Sequence, residues 1–357
     1  MNYDLCIIGG GINGVAIAKL AAQHNIKTIL LEKTSLGSGA SSKTSKLAHG
    51  GLRYLEQFNF GLVREALKER NDLLKIHSDT VTPLPFIYPV SDKELKLKVW
   101  AGMTLYDLLS YGSPMPKSKR FTIDKTLLHL PWLISDNIKY SYCYYDAIMD
   151  DYQIVIDVAS EAIRNGALIC ENEEVLNVNQ LQNRVEIKTT NFLIQSKFVI
   201  NSTGAWSNNI TGEDHVRPSK GAHIITNKIQ SEYASILRSP KDGRVFFTIP
   251  YKKNTIIGTT DTFYNGDLDN IVATNDDILY IIESFNSFSK IKLTKEDVLD
   301  TYAGLRPLAN SKGLLASALS RDVSYIKQGK MLSIVGGKYT THRAVARDII
   351  KRIKKYV

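Results

Sequence analysis

Residues 4–33 read DLCIIGGGINGVAIAKLAAQHNIKTILLEK, and their order decides how the rest of the chain is read. An apolar run (5–8) enters Gly9, Gly11 and Gly14 in GxGxxG spacing; a helix-like pattern follows, then a second apolar run (28–31) ending in Glu32. Strand, glycine turn, helix, strand and terminal acid together predict a dinucleotide-binding βαβ unit. In such a unit Gly9 permits the tight turn, Gly11 lets backbone approach a diphosphate, and Gly14 brings helix close to strand. The diphosphate rests on the free N–H groups of the helix N-terminus, where the macrodipole favours negative charge. Glu32 stands where a carboxylate accepts hydrogen bonds from a ribose and repels a 2′-phosphate. The expected ligand is therefore FAD or NAD rather than NADP.

Working outward, the chain of 357 residues is long enough for two lobes. Its net charge of +9 suits an anionic substrate, an anionic membrane surface or nucleic acid. No basic run is interleaved with aromatics, so no nucleic-acid partner is expected. Cys6, Cys143 and Cys170 are widely spaced without a CxxC pair. They read as reduced thiols of a cytoplasmic protein, not as a disulfide frame or a metal site. The amino terminus runs straight into the first strand with no signal peptide, and no apolar run reaches the roughly 18 residues of a membrane span.

After Lys33 a loop of small polar residues supplies Ser38, Ser41, Ser42, Thr44 and Ser45 to cover a second stretch of cofactor such as ribitol and flavin. Lys43, Lys46, His49 and Arg53 thread cations and an imidazole through it. Residues 62–77 read as a helix with Val63, Ala66, Leu67 and Leu74 on one side, and Pro83, Pro85 and Pro89 break the pattern and open a different region. Residues 91–120 mix lysines with Leu95, Leu97, Val99, Trp100, Met103, Leu105, Tyr106, Leu108 and Leu109. They fit either a helix resting on lipid or an ordinary surface helix. Residues 154–163 read as helix, followed by strands at 167–170, 174–178, 185–189 and 192–200. The last ends at NSTGAWS (201–207), a second place for backbone to approach the cofactor. Strands at 223–226, 245–249 and 255–259 suit an antiparallel sheet. An amphipathic helix at 277–288 turns Ile278, Ile281, Ile282, Phe285 and Phe288 inward. A strand at 332–335, a turn at Gly336-Gly337-Lys338 and a basic helix at 341–355 return the chain to the nucleotide lobe.

The expected fold is α/β: a discontinuous Rossmann-like FAD-binding domain with a second, substrate domain built on an antiparallel sheet (α+β). The first takes residues 1–80, 145–212 and 300–357, the second 81–144 and 213–299. A nicotinamide dehydrogenase usually keeps its dinucleotide domain contiguous, so the discontinuity favours FAD over NAD.

GGGINGVAIA (9–18), SKLAHGGLRYLE (45–56), NSTGAW (201–206), KGAHI (220–224), FFTIPY (246–251), IIGTTDT (256–262), YAGLRPL (302–308) and GGKYTTHR (336–343) follow in this order. In that set the chain resembles the FAD-dependent glycerol-3-phosphate dehydrogenases, a branch of the D-amino-acid-oxidase-like flavoproteins, from residue 1 to about 350. The resemblance implies a buried, extended FAD with its isoalloxazine between the lobes. It implies oxidation of sn-glycerol 3-phosphate to dihydroxyacetone phosphate, with electrons passed to a membrane quinone from the inner face of the cytoplasmic membrane. A homo-oligomer is expected. By resemblance Arg53, Tyr54, Arg306 and Lys338 line the substrate site, and His223 is the candidate base, with His49 as the second candidate. The cofactor is assigned Gly9, Gly11, Asn13, Gly14, Glu32, Lys33, Ser41, Ser42, Ser45, Lys46, His49, Gly50, Gly51, Leu52, Val175, Thr203, Gly204, Trp206, Gly337, Lys338 and Thr340. Two departures stand out. The family continues into a helical carboxyl-terminal domain beyond the reach of this sequence, and its Asp-Asp-x-Arg pattern is here Asp150-Asp151-Tyr152-Gln153, one cation fewer.

The catalytic assignments are His223, Arg306 and Lys338. A phosphate dianion prefers several fixed donors, and arginine offers a bidentate fork. Arg53, Arg306 and Lys338 bring three cations from three distant segments. A neutral imidazole suits removal of the hydroxyl proton, and Lys338 suits stabilising a developing alkoxide or the reduced flavin. Competing expectations are a flavin oxidase acting on amines or 2-hydroxy acids, a non-catalytic FAD-binding remnant, and a nicotinamide dehydrogenase.

Overall fold

The computed structural model describes residues 1–90, 93–310 and 323–357. β1 (Asn2–Ile8), α1 (Ile12–Gln23) and β2 (Thr28–Leu31) form the opening βαβ unit. The polar loop leads to β3 (Leu47–Ala48), α2 (Phe60–Ile76), β4 (Val81–Val90) and α3 (Lys93–Leu109). Next come β5 (Lys119–Phe121), α4 (Ile123–His129), β6 (Tyr140–Met149) and α5 (Asp151–Arg164). β7 (Leu168–Cys170), β8 (Val175–Gln180), β9 (Val185–Thr189), β10 (Leu193–Asn201) and α6 (Ser207–Thr211) follow. β11 (Val216–Thr226), β12 (Ala234–Arg238), β13 (Val245–Tyr251), β14 (Asn254–Gly258), β15 (Thr262–Phe263) and α7 (Asn275–Asn286) make up the next stretch. β16 (Asp300–Ala309), β17 (Ser324–Gln328), β18 (Met331–Val335) and α8 (His342–Ile353) close the chain.

The first sheet runs β17-β18-β10-β1-β2-β7, with β9 and then β8 added antiparallel at β10. β1 is parallel to both neighbours, Ile7 facing Ile200 of β10 and Leu30 of β2. Alternate residues of β1 serve two cores. Leu5 and Ile7 pack with Val15 of α1, Ile154 of α5 and Ile349 of α8, whereas Cys6 and Ile8 pack with Val185 and Ile187 of β9. Cover on both faces explains why residues 5–8 read as one apolar run rather than alternating. β18 pairs parallel with β10, Met331 beside Val199, which brings the carboxyl-terminal segment home to this lobe.

The second sheet runs β15-β11-β14-β13-β12-β4-β6-β3, with β16 beside β11 and β5 beside β6. Its pairs are antiparallel except β12 with β4. One side packs with Val63 and Leu67 of α2 and Met103 and Tyr106 of α3, the other with Ile281, Ile282 and Phe285 of α7.

Three findings sharpen the segment reading. The prolines at 83, 85 and 89 do not end structure; they lie inside β4, which pairs with β6 along its whole length. All three share one parity, so the missing N–H groups fall along a single edge of β4. The even-numbered residues turn toward β6, as the Lys139 N–H donating to Val90 O shows, and β12 meets the other edge only at Phe86 and Ile87. Second, β6 belongs to this sheet as far as Met149. Third, β16 pairs with β11 from Asp300 to Ala309. Residues 145–149 and 300–309 thus sit in the second sheet, and we propose lobe boundaries drawn at those strand ends.

Candidate active site

Strands β1, β2, β10 and β18 run parallel, so the turns leaving them gather at one edge of the first sheet, the usual crevice for a nucleotide. At the turn after β1, Gly9 has φ of 103°, and a Cβ there would lie 2.8 Å from Ser202 O; one on Gly14 would lie 1.9 Å from Gly9 O. Both positions therefore require glycine, and Gly14 works by closing helix onto turn. Glu32 accepts from the Gly10 N–H at 2.7 Å and the Thr34 N–H at 3.0 Å. A carboxylate retains further lone pairs for ribose hydroxyls. Ser41 Oγ, from the polar loop, accepts from the Ile12 N–H at 3.0 Å, and the Asn13 side-chain oxygen is buried without a partner. Glycines that tolerate no Cβ, an acid at the end of β2 and an unmet polar atom at the α1 N-terminus all fit an extended dinucleotide.

From this turn a cavity of about 1000 Å³ runs between the sheets. At its far end the Lys338 amine stands 3.7 Å from the centre of the Tyr54 ring, and a Cβ on Gly51 would come within 3.3 Å of that amine. Arg306 Nη1 donates to Thr260 O at 3.2 Å and to Asp261 Oδ1 at 3.1 Å, and Nη2 donates to Thr259 Oγ1 at 3.0 Å. Asp261 is buried and also accepts from Ser219 Oγ at 2.5 Å. His223 is 2% exposed, with Nε2 2.8 Å from Ser45 Oγ and its ring stacked 4.6 Å from that of Tyr302. Burial, then Arg306 and Lys46, pull its pKa down to about 3, so the imidazole is neutral.

The residues assigned from sequence whose side chains are described line this one cavity, with four exceptions: Gly14, Ser42, Lys46 and Gly50. Gly14 packs behind the turn. Gly50 is buried, its N–H donating to Tyr106 Oη at 3.1 Å and Asp146 Oδ1 at 3.2 Å. Lys46, expected beside the cofactor, instead donates to the Ser42 carbonyl at 2.8 Å and pairs with Asp151 at 2.5 Å. Asp151 is buried and also accepts from Thr44 Oγ1 at 2.6 Å. Gln153, where the family pattern has arginine, is exposed and donates to Asp157 at 2.9 Å. The side chain of Arg53 lies outside the described residues. Lys33 reaches the rim, where it pairs with Asp269 and lies over the Trp206 ring, whose Nε1 donates to the same carboxylate at 2.8 Å.

Sequence reasoning assigned no role to Asp261 or Thr259, although IIGTTDT carried them; the polar triplet after a buried strand was the available signal. It also passed over a buried network beneath Gly50. Arg70 Nη1 donates to Asp146 at 2.8 Å and Nη2 to Ser110 Oγ at 2.9 Å, while Tyr106 Oη donates to Asp146 at 2.7 Å. Burial raises the Asp146 carboxyl, with Arg70 and Tyr106 acting against it.

Comparison with known proteins places this geometry. Residues 4–343 match the family model described as FAD dependent oxidoreductase (DAO). A Mycobacterium leprae protein named glycerol-3-phosphate dehydrogenase is 36% identical over 373 residues, covering 99% of this chain and 63% of that protein. A Staphylococcus aureus aerobic glycerol-3-phosphate dehydrogenase is 33% identical over 381 residues, covering 99% and 68%. The chain thus spans under two thirds of the length of the mycobacterial relative. Among solved structures, the Bacillus halodurans glycerol-3-phosphate dehydrogenase complexed with FAD aligns with a TM-score of 0.78 at 26% identity, over 99% of this chain and 64% of that one. With the family model matched nearly end to end, the glycine turn and the interlobe cavity have a name: this chain belongs to the FAD dependent oxidoreductase family.

Proposed function

We propose that the chain holds FAD along the interlobe cavity and oxidises sn-glycerol 3-phosphate to dihydroxyacetone phosphate. The observation that carries this reading is the meeting of Tyr54, His223, Arg306 and Lys338, from four distant segments, in a cavity whose other end is a diphosphate turn. Bound FAD would supply the hydride acceptor. The chain's own residues do the rest. Arg306, braced by Asp261 and Thr259, and Lys338, laid over Tyr54, are the fixed cations for a phosphate dianion. Neutral His223 is the sink for the hydroxyl proton. The names of the mycobacterial and staphylococcal relatives support the substrate, and the FAD complex from B. halodurans supports the cofactor. Anaerobic addition of glycerol 3-phosphate should bleach the flavin of the purified protein, whereas glycine, sarcosine and 2-hydroxyglutarate should not. Bleaching by one of the latter instead would assign the site to an amine or hydroxy acid, and a flavin that stays oxidised with all of them would make the chain a binding module.

For the electron acceptor we propose a membrane quinone, reached by lying on the lipid surface. Among the described residues no helix is long and apolar enough to cross a membrane. α3 turns Val99, Met103 and Tyr106 inward yet exposes Leu97 and Trp100, and Leu108 and Tyr111 continue the same outer arc. The side chain of Leu95, read as part of this stripe, lies outside the described residues. Lys98 and Lys117 beside the arc suit anionic headgroups. Leu97→Glu with Trp100→Glu should abolish co-sedimentation with anionic vesicles at low salt while leaving flavin reduction intact. Equal sedimentation of variant and wild type would return α3 to an ordinary surface helix.

A further inference from the structure

At the reacting end of the cavity, His223 already has one nitrogen engaged by a hydroxyl of the polar loop. Nε2 is taken by Ser45 Oγ at 2.8 Å, and Nδ1 is buried without a hydrogen-bond partner. Tyr302 stacks on the ring at 4.6 Å, and the Tyr302 hydroxyl donates to the Thr44 carbonyl at 2.9 Å. Two consecutive residues of the polar loop, Thr44 and Ser45, thus fix a histidine of the second sheet from the first lobe's side. Ser45 is half-buried and lines the cavity, whereas His223 is 2% exposed. Both residues line the cavity, and Ser45 is the less buried of the two. A serine hydroxyl donates one hydrogen bond and accepts others, so it can face an alcohol on one side and an imidazole on the other.

We propose that Ser45 passes the substrate's hydroxyl proton to His223, a step that rests on the alcohol-oxidising reading of this site. The substrate O–H bond breaks and its proton bonds to Ser45 Oγ; the Ser45 O–H bond breaks and that proton bonds to Nε2. The substrate becomes an alkoxide, Ser45 is regenerated neutral, and His223 becomes imidazolium, with no change in total charge. The charged groups acting on His223 are Arg306 of β16, paired with Asp261, and Lys46 of the polar loop, paired with Asp151. Both cations oppose a positive ring. A phosphate dianion seated on Arg306 offsets part of that opposition, so an anionic substrate eases the relay.

The test uses the FAD-loaded protein under anaerobic stopped flow with glycerol 3-phosphate. Ser45→Ala should slow flavin reduction at saturating substrate by about 10²- to 10⁴-fold, the usual range for losing a general acid–base group, with substrate affinity unchanged. Ser45→Thr keeps the hydroxyl and should restore most of the rate. Nitrogen-15 spectra of the same loaded proteins, without substrate, read the bond independently of turnover: the His223 Nε2 resonance should move in Ser45→Ala and stay in Ser45→Thr. Wild-type rates in Ser45→Ala, or an unmoved Nε2 resonance, would overturn the proposal. A wild-type flavin that glycerol 3-phosphate fails to reduce would instead defeat the substrate assignment, while the resonance still reports on the Ser45–His223 bond.

Discussion

Arg306 illustrates how a cation becomes a recognition group. A guanidinium at the surface is mobile, but here three acceptors, Thr259 Oγ1, Thr260 O and Asp261 Oδ1, set its plane before any ligand arrives. The Asp261 bond joins two ions, and bonds to charged groups contribute about 1.5–3 kcal/mol. Asp261→Ala should therefore raise KM for glycerol 3-phosphate by about one to two orders of magnitude, with the flavin retained. Steady-state kinetics on flavin-matched samples check this; an unchanged KM would mean that Thr259 and the Thr260 carbonyl suffice. Lys46 shows the converse. Its sequence neighbourhood pointed to the cofactor, yet buried Asp151 captures it, because an unpaired carboxylate in that position would be far costlier than a lysine drawn inward.

Among the elements, the turn into α1 tolerates least. A methyl on Gly14 would sit 1.9 Å from a backbone oxygen, a clash that only movement of α1 away from β1 relieves. Gly14→Ala should lower stability by about 1–3 kcal/mol, as overpacking does, and release the flavin during purification. Gly61, in α2, has nothing within 4 Å of its would-be Cβ. Gly61→Ala, in the first turn of α2, should keep the flavin and gain at most about 0.5–1 kcal/mol from helix propensity. Thermal melts with flavin absorbance separate the two; a flavin-replete Gly14→Ala would show that helix and turn can part without losing the site. β4 is the element that local rules describe least. Three prolines in ten residues argue against a strand, but they all fall along one edge, which the fold leaves largely unpaired.

Across the whole molecule, each lobe carries a buried histidine held neutral: His223 in the second sheet and His342 at the start of α8, whose Nδ1 lies 2.9 Å from Tyr339 O. Burial is the main cause for both, and both fall to about 3 from an ordinary 6.5. The unfolded chain therefore binds two more protons than the folded one between those values, and stability rises with pH across that window. It is complete above about pH 6.5 and is lost progressively toward pH 3, at about 1.4 kcal/mol per pH unit for each histidine. Denaturant unfolding at pH 7, 6 and 5 should show this slope, and His223→Asn should reduce it. A slope the same in variant and wild type would mean that His223 protonates without resistance in the folded state.

Much of the architecture was legible because it rests on local chemistry. The glycine turn, the acid after β2, the amphipathic α7 and the return of the last segment each follow from residues near in sequence, whose periodicity and backbone freedom are set by neighbours. The placement of the second sheet was less so: β6 and β16 join it through pairings with strands far along the chain, and nothing local states which partner a strand takes. The site divides in the same way. Sequence by itself determined the cofactor end, since a diphosphate is held by backbone whose geometry glycine spacing encodes. Only the tertiary structure decided the reacting end. There, Ser45 meets His223, Lys46 turns to Asp151 and Asp261 braces Arg306, because the energy of a buried polar group depends on which partner the fold brings within reach.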